Sequence, residues 1–384
     1  MTSNINESIN PAIRLVLAAL RVNGTPVEPD FCYKKSELSQ AFTLARQHGV
    51  FPLLYQYVRK QKADKSIMPL IESHKHAYLG NVGRNLQLTQ RLLNIIDLLS
   101  RNGIRAIPFK GPVLAVQAYG DIGLRSFCDL DLLIRSRDFP RVYDLMESTG
   151  YRSIKPMIVK MKAVWKKTRR SFEFQGENVS IDFHQQVTQG PRSLRLRVDW
   201  NKLSHVELNG HDAPCLNLED SVLALAMHGT HHGWAQLKLV ADLAFLLHAH
   251  QDEVQWQRLM KKAREMGVLR MVWIGICLGR EFCDLIVPDH VKELLEKDKK
   301  LAELLAYFKD KVLAQQKSNL IPQTALPRSL DSCWHKVRYL SYYLFNPTSL
   351  DMLAVRLPTI LYPLYFVIRP ARLLLNLARG RELS

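Results

Sequence analysis

The pattern of hydrophobic positions divides the 384-residue chain into two helical flanks around a short segment with strand character. Residues 11–101 and 218–345 carry apolar side chains at helical spacing. Between these flanks the apolar residues come in short runs and alternations that are typical of strands. We therefore predict an α+β fold in which a small mixed-sheet core, 103–216, lies between an N-terminal helical region, 1–102, and a C-terminal helical region, 217–384.

The expected helices begin and end at recognisable signals. Asn10 and Pro11 form an N-cap and first-turn pair, and Gly49 follows the last periodic residue of the second helix. One loop between helical blocks is expected at 322–328, where prolines interrupt the pattern. The predicted helices are 11–22, 36–48, 52–60, 71–101, 113–119, 138–148, 218–232, 236–249, 254–266, 269–285, 291–313 and 333–345.

A strand, a glycine turn and a helix follow one another at the start of the predicted core. The apolar run 104–109 breaks at the Lys-Gly-Pro turn of residues 110–112 and leads into the helical pattern 113–119. A glycine before a helix start leaves backbone N–H groups free to meet a phosphate, and the helix dipole favours that contact. Lys110 and Arg125 supply positive charge on either side of this turn.

Three aspartates follow on predicted strands. Asp129 and Asp131 lie two residues apart in one apolar run, so their side chains project from the same face of a strand. Asp182 lies in the second strand of a hairpin predicted at 171–174 and 179–183. Neighbouring carboxylates repel each other unless a cation lies between them, and Mg²⁺ or Mn²⁺ takes such oxygen ligands. The alternative is a solvated edge strand whose acidic residues face water.

The motifs KG-x-x-L, an arginine shortly before DLDLLI, and a later strand with IDFH resemble those of a known superfamily. They look like the DNA polymerase beta-like nucleotidyltransferases, and within that group they resemble the bacterial uncharacterised nucleotidyltransferase family. The resemblance is strongest over residues 99–184. It implies that Gly111 is the glycine of the phosphate turn, that Asp129 and Asp131 are metal ligands, and that Asp182 is the third carboxylate, which completes the metal site and helps to activate the acceptor.

The resemblance also implies an activity. We expect a Mg²⁺- or Mn²⁺-dependent enzyme that moves a nucleoside monophosphate from an NTP, expected to be ATP, to an unidentified hydroxyl or phosphate acceptor and releases pyrophosphate. Lys110, Gly111 and Arg125 would bind the triphosphate. Pro112 stands where the superfamily has Gly or Ser, and the spacing from Gly111 to the aspartates is longer than usual. An alternative is therefore a non-catalytic nucleotide- or anion-binding protein that keeps the fold and acts on RNA or at a membrane surface.

A second group of polar residues lies on the predicted C-terminal helices. His228 and His232 are four residues apart on one helix face, a spacing that suits a metal ion. The interpretation that we favour is a hydrogen-bonded pair of helices, with Asp242 on the second, packed against the active site. His184, beside Asp182 in the IDFH strand, and these three residues would then support the site or bind the acceptor.

The net charge of +17 favours an anionic partner, which could be a nucleotide, a nucleic acid or a membrane surface. Residues 152–170 contain eight Lys or Arg and no acid. That segment is either a solvated surface element or a flap that binds the acceptor. Residues 349–381 mix Leu, Tyr and Phe with arginines. They could form an interfacial helix on an anionic membrane, or a helix that packs on the body with its basic residues outward.

The remaining composition favours a cytoplasmic protein. No initial apolar run is typical of a signal peptide, and the longest nearly uncharged apolar run, 357–368, is too short to span a bilayer. The six cysteines form neither a CxxC motif nor a metal-binding spacing, so we expect reduced thiols. These cysteines are Cys32, Cys128, Cys215, Cys277, Cys283 and Cys333.

Overall fold

The structure, a computed structural model, confirms the α+β fold: helices surround one small mixed sheet. Most of the basic segment 152–170 lies outside the part of the chain that the structure describes. The described residues are 10–23, 34–61, 66–154, 171–176, 179–188, 194–313 and 325–378.

The described chain before the sheet is helical. Asn10 caps the first helix, its Oδ1 accepting a hydrogen bond from the Ala12 N–H at 2.9 Å. The single helix predicted over 71–101 is instead two helices that meet at His74, whose ring packs against Phe42 with 3.9 Å between ring centroids. The helices are α1 (Pro11–Ala18), α2 (Lys35–Gln47), α3 (Phe51–Lys60), α4 (Met68–Ser73) and α5 (Lys75–Arg101).

Five strands form the main sheet in the order β1-β2-β5-β4-β3. The central pair, β2 and β5, is parallel, and the other pairs are antiparallel. The sequence indicated four of these strands, and the two-residue β3 was not expected. The elements are β1 (Ala106–Pro108), α6 (Gly111–Tyr119), β2 (Asp129–Ile134), α7 (Phe139–Ser148), β3 (Arg152–Ser153), β4 (Ser171–Gly176) and β5 (Val179–His184).

Alternation along the strands gives the sheet one apolar face. Leu130 and Leu132 of β2 and Ile181 and Phe183 of β5 are fully buried and belong to one hydrophobic cluster with α5 and α7. Residues at the intervening positions point to the opposite face. The packing of α5 and α7 therefore determines which face of the sheet remains available to polar side chains.

A separate hairpin follows, formed by β6 (Ser204–Leu208) and β7 (His211–Cys215). Asn209 and Gly210 both have positive φ, +50° and +77°, at its turn. This is the conformation that an Asn-Gly pair between two strands predicts.

The rest of the described chain is helical again. The helix predicted over 291–313 is two helices, because Asp298 leaves helical geometry, caps the Lys300 N–H at 3.1 Å and pairs with Arg270 at 2.8 Å. Part of the loop predicted at 322–328 is helical. The helices are α8 (Leu218–His231), α9 (Leu237–Ala249), α10 (Trp256–Met266), α11 (Leu269–Cys283), α12 (Asp289–Lys297), α13 (Leu301–Leu313), α14 (Ala325–Arg328), α15 (Cys333–Phe345), α16 (Ser349–Ala354) and α17 (Tyr365–Ala378), with a 3₁₀ helix at Thr359–Leu364.

One hydrophobic cluster joins all three regions of the chain. It contains residues of the N-terminal helices, of β1 and α6, and of α8 to α13. Trp234 lies fully buried within it, and its ring fills the space left by Gly229 and Gly275. The absence of side chains at these two glycines lets α8 and α11 approach the same ring.

We predict that Gly275→Ala lowers the free energy of unfolding by about 1–3 kcal/mol, because the added methyl group would overlap Leu243 and crowd Trp234. The matched control is Gly83→Ala in α5, where no atom lies within 4 Å of the added carbon. The control is expected to gain about 0.5–1 kcal/mol from helix propensity. Urea unfolding measures both variants, and a Gly275 variant as stable as the wild type would contradict this packing.

Candidate active site

Two carboxylates lie side by side on the face of the sheet opposite α5 and α7. Asp131 of β2 and Asp182 of β5 are direct partners in the parallel register, and Asp131 is buried. His184, two residues after Asp182, faces the same side of the sheet. One ligand atom from each of these three residues lies within 4.8 Å of the other two.

Two positively charged or donating groups surround Asp131. His184 Nε2 lies 2.7 Å from Asp131 Oδ1 and 3.3 Å from Asp182 Oδ2. Lys110 Nζ lies 3.7 Å from the other oxygen of Asp131. Burial alone would raise the pKa of Asp131, but Lys110 and His184 hold that pKa well below its usual range. Asp131 is therefore a carboxylate at neutral pH.

The second carboxylate has different surroundings. Burial raises the pKa of Asp182 to about 6, with Asp131 and Glu173 acting in the same direction and His184 against it. Asp182 Oδ1 is buried and has no hydrogen-bond partner among the described residues. Buried polar atoms normally have a partner, and a partnerless carboxylate oxygen beside a second carboxylate is a ligand position suited to a cation.

Asp129 lies at the exposed start of β2, opposite Ser180 in the register. It shares a strand face with Asp131 but is outside the group formed by Asp131, Asp182 and His184. Its role as a metal ligand stays a prediction. The structure brings together one aspartate from the Asp-x-Asp motif, the aspartate of the second strand and a histidine.

The turn before α6 has the conformation that its glycine allows. Gly111 has φ +54°, and a Cβ there would lie 3.4 Å from the carbonyl oxygen of Asp129. Pro112 occupies the first turn of α6, where its missing N–H interrupts no helical hydrogen bond and its fixed φ suits the helix. The departure from the superfamily pattern at Pro112 thus has a structural explanation.

Arg125 forms a buried fork with Asp242 of α9. The Nε–Oδ1 and Nη2–Oδ2 distances are 2.8 Å and 3.0 Å, and the two side chains are 5% and 3% exposed. Tyr119 donates its hydroxyl to Asp242 Oδ1 at 2.8 Å, and Arg125 Nη1 lies 3.5 Å from the Gly111 carbonyl oxygen. The predicted contact of Arg125 with a triphosphate stays a prediction, and it would require this buried pair to open.

His228 of α8 lies near Asp131, and His232 directly follows the last residue of that helix. Asp242 Oδ1 accepts hydrogen bonds from Arg125 and Tyr119, and Asp242 Oδ2 accepts one from Arg125. Among the described residues the partners of Asp242 are therefore Arg125 and Tyr119, and not the predicted His228 and His232. A guanidinium fork matches a carboxylate on two atoms, which an imidazole cannot do. The ring centroids of His228 and His232 are 4.4 Å apart.

His228 is a neutral group beside the candidate site. Burial lowers its pKa well below the usual value, and the charge of Lys110 lowers it further, while Asp131 acts in the opposite direction. Burial also lowers the pKa of His232 to about 4. These histidines can accept or donate a hydrogen bond at neutral pH without adding charge.

Several supporting residues were not predicted from the sequence. Asn85 of α5 donates to the carbonyl oxygens of Ile122 and Arg125 at 2.6 Å and 2.8 Å, and Asn81 donates to that of Gly123 at 3.0 Å. Asn81, Asn85 and Thr89 recur every four residues, so they lie on one face of α5, and all three are buried. Polar residues at this spacing within an apolar helix face are the signal that could have revealed them. They hold the loop that joins α6 to β2.

Lys238 is a further unpredicted residue. Its ammonium donates to the carbonyl oxygen of Ser126, and burial lowers its pKa to about 8, with Arg125 acting in the same direction. The negative charges of Asp242 and Asp129 act against this shift. Lys238 is therefore a partly buried amine close to Asp129 of the Asp-x-Asp motif, and it loses its charge more easily than an exposed lysine does.

Residues 34–284 match the model of the uncharacterised nucleotidyltransferase family. The chain belongs to this family. The match covers more than half of the chain and contains every candidate site residue described above. Membership makes the protein a transferase, and nucleotidyl transfer is its class of reaction.

One solved structure similar to this chain is the solution structure of the antibiotic-resistance factor ANT(2'')-Ia. The two are 11% identical, the similarity covers 51% of this chain and 95% of that chain, and the TM-score is 0.33. No curated protein matches the chain.

We predict that Asp242→Asn lowers the free energy of unfolding by about 3–5 kcal/mol, because it leaves Arg125 as a buried charge without its counter-ion. The control is the double variant Arg125→Met with Asp242→Leu, which removes both charges and should be less destabilised than the single variant. Urea unfolding gives both values. A single variant as stable as the double variant would contradict the importance of the ion pair.

We also predict that Mn²⁺ binding weakens in acid. Below the Asp182 pKa of about 6 the carboxyl group is protonated, and a cation must displace that proton before it can bind. The dissociation constant should therefore rise about tenfold per pH unit below that pKa. Calorimetric titration measures it, and Asp182→Asn should flatten the dependence. A wild-type dissociation constant that does not change across this pKa would contradict a ligand role for Asp182.

Proposed function

We propose that the protein moves a nucleoside monophosphate from an NTP, with ATP the expected nucleotide, to a hydroxyl or phosphate acceptor and releases pyrophosphate. Nucleotidyl transfer as a class follows from the family. The finer proposal is carried by one observation, the direct pairing of Asp131 with Asp182 across β2 and β5, with a buried and partnerless oxygen on Asp182.

The donor set at this point fits a divalent cation. Asp131, Asp182 and His184 offer three ligand atoms within 4.8 Å of one another, and Asp129 shares the strand face of Asp131. Mg²⁺ prefers oxygen, so the three aspartates would hold it, whereas an imidazole ligand from His184 favours a transition metal such as Mn²⁺. When bound, the cation neutralises charge on the transferred phosphate and on the leaving pyrophosphate.

The protein groups around the carboxylates have separate tasks. Asp182 would also take the proton that the acceptor hydroxyl loses, the role of a general base. Lys110 lies between this carboxylate pair and the Gly111 turn, where its charge can attract phosphate oxygens. The N–H groups at the start of α6 add further donors.

Arg125 has a positioning role in this proposal. Its contact with the Gly111 carbonyl oxygen and its pair with Asp242 hold the phosphate turn against α9. His228 and His232 are neutral donors and acceptors that could orient the acceptor or the base.

We also propose a cytoplasmic location, because the described cysteines are free thiols with no disulfide between them. Contact with a membrane surface depends on other residues, those of the C-terminal helices, and is a separate proposal. Residues 155–170 of the basic segment 152–170, the predicted acceptor flap, lie outside the described residues.

The activity test incubates the protein with Mg²⁺ or Mn²⁺, each α-labelled NTP in turn and a cell extract as the acceptor pool, and measures label transfer and pyrophosphate release. We predict that Asp131→Asn and Asp182→Asn each lower transfer by about a thousandfold, because each removes a charge that acts on the reacting phosphates. The matched control is Asp144→Asn on the exposed side of α7, which should be fully active.

The variant Asp129→Asn distinguishes a metal-ligand set that includes Asp129 from one that does not. We expect it to lose activity as well, because Asp129 projects from the same strand face as Asp131. Full activity in that variant would leave Asp131, Asp182 and His184 as the ligand set. Undiminished transfer by folded Asp131→Asn protein would overturn the proposed function altogether.

A further inference from the structure

The C-terminal helices carry most of the exposed large hydrophobic side chains of the described structure. Sixteen of its 21 exposed large hydrophobic side chains lie between Trp334 and Leu377. Ile360 is 86% exposed and Val367 is 68% exposed. An apolar surface this concentrated on a soluble protein marks a contact with another molecule or with a membrane.

The interior of the same helices is charged. Asp351 of α16 is fully buried, and its Oδ2 lies 3.1 Å from Arg369 Nη1 while its Oδ1 lies 2.6 Å from Arg372 Nε. Thr348 donates its hydroxyl to the same carboxylate at 2.8 Å. In a water-soluble fold, charged side chains lie at the surface and apolar side chains lie in the interior. The C-terminal helices have the opposite arrangement. The alternative that α17 packs with its basic residues outward is therefore wrong for Arg369 and Arg372.

The charge of the exposed surface favours anionic lipid. From residue 333 to residue 378 the chain has five Lys or Arg and one acid, Asp351. Arg369 and Arg372 pair with Asp351, which leaves the charges of Lys336, Arg338 and Arg356 for the surface. Arg338 and Arg356 are exposed, and Arg338 lies over the Trp334 ring at 5.8 Å from its centroid. Arginine beside tryptophan is typical of the headgroup region, where aromatic rings and cations meet lipid phosphates.

The geometry favours a helix that lies in the membrane plane. Ile360–Ala378 is long and apolar enough to cross a membrane, judged by length and composition alone. This segment is not one regular helix: Thr359–Leu364 is a 3₁₀ helix that contains Pro363, and the α-helix Tyr365–Ala378 contains Pro370. A span would also carry the ion pair of Arg369 with Asp351 into hydrocarbon, where charge is unfavourable.

We infer that residues 333–378 form a monotopic surface that binds reversibly to membranes rich in anionic lipid. Exposed apolar side chains such as Ile360 and Val367 enter the acyl boundary, and Arg338 and Arg356 contact lipid phosphates. The buried group around Asp351 holds α16 and α17 together while both lie at the interface.

The test is flotation of the full-length protein with vesicles made of phosphatidylcholine and phosphatidylglycerol in equal amounts. The wild type should float with these vesicles and bind vesicles of phosphatidylcholine alone about tenfold more weakly. The variant Ile360→Glu with Val367→Glu should lower the partition coefficient by about tenfold or more. Both side chains are exposed, so circular dichroism and the thermal midpoint should not change.

The matched control is Ile286→Glu, which replaces an isoleucine that is 62% exposed outside the C-terminal helices and should float like the wild type. Three results would overturn the inference. The first is undiminished flotation of the double variant. The second is equal binding to both vesicle types that resists about 1 M salt, which would indicate a spanning helix. The third is a lipid-free dimer that the two glutamates disrupt while flotation stays unchanged.

Discussion

The parallel pairing of β2 with β5 is the constraint on which the candidate site depends. It sets Asp131 directly against Asp182, an arrangement that both repulsion and burial oppose. Lys110 and His184 offset the negative charge of Asp131, whereas burial and the neighbouring Asp131 raise the pKa of Asp182. The alternating apolar residues of the same strands pack against α5 and α7 on the reverse face, so hydrophobic burial stabilises the register that holds the carboxylates together.

A second constraint acts on the loop between the glycine turn and the Asp-x-Asp strand. Asn85 of α5 holds this loop from the N-terminal side, and Asp242 of α9 holds it through Arg125 from the C-terminal side. The helical regions that the sequence places on either side of the sheet are therefore part of the site's support. The hydrophobic cluster that both helical regions share also packs them against β1 and α6.

The sequence predicted those elements whose apolar side chains repeat at the period of a strand or a helix. Alternation around Asp131 and Asp182 predicted the strands and the face that each aspartate shares. It could not predict that Asp182 opposes Asp131 and not Asp129, because register depends on packing between strands. The pairing of Arg125 with Asp242, 117 positions apart, leaves no local pattern. Composition likewise left two interpretations of the C-terminal helices open, because the burial of their arginines depends on Asp351 in another helix.

Helices from both flanks support the glycine turn, and this limits how such a protein can change over evolutionary time. A chain that inherited the sheet alone would keep its carboxylates and lose Asn85 and Asp242, so the heritable unit must include α5 and α9. The family match, residues 34–284, includes both helices and ends before α12. The helices from residue 325 onward lie outside that unit. An exchange of these helices would therefore leave both supports of the glycine turn, α5 and α9, unchanged.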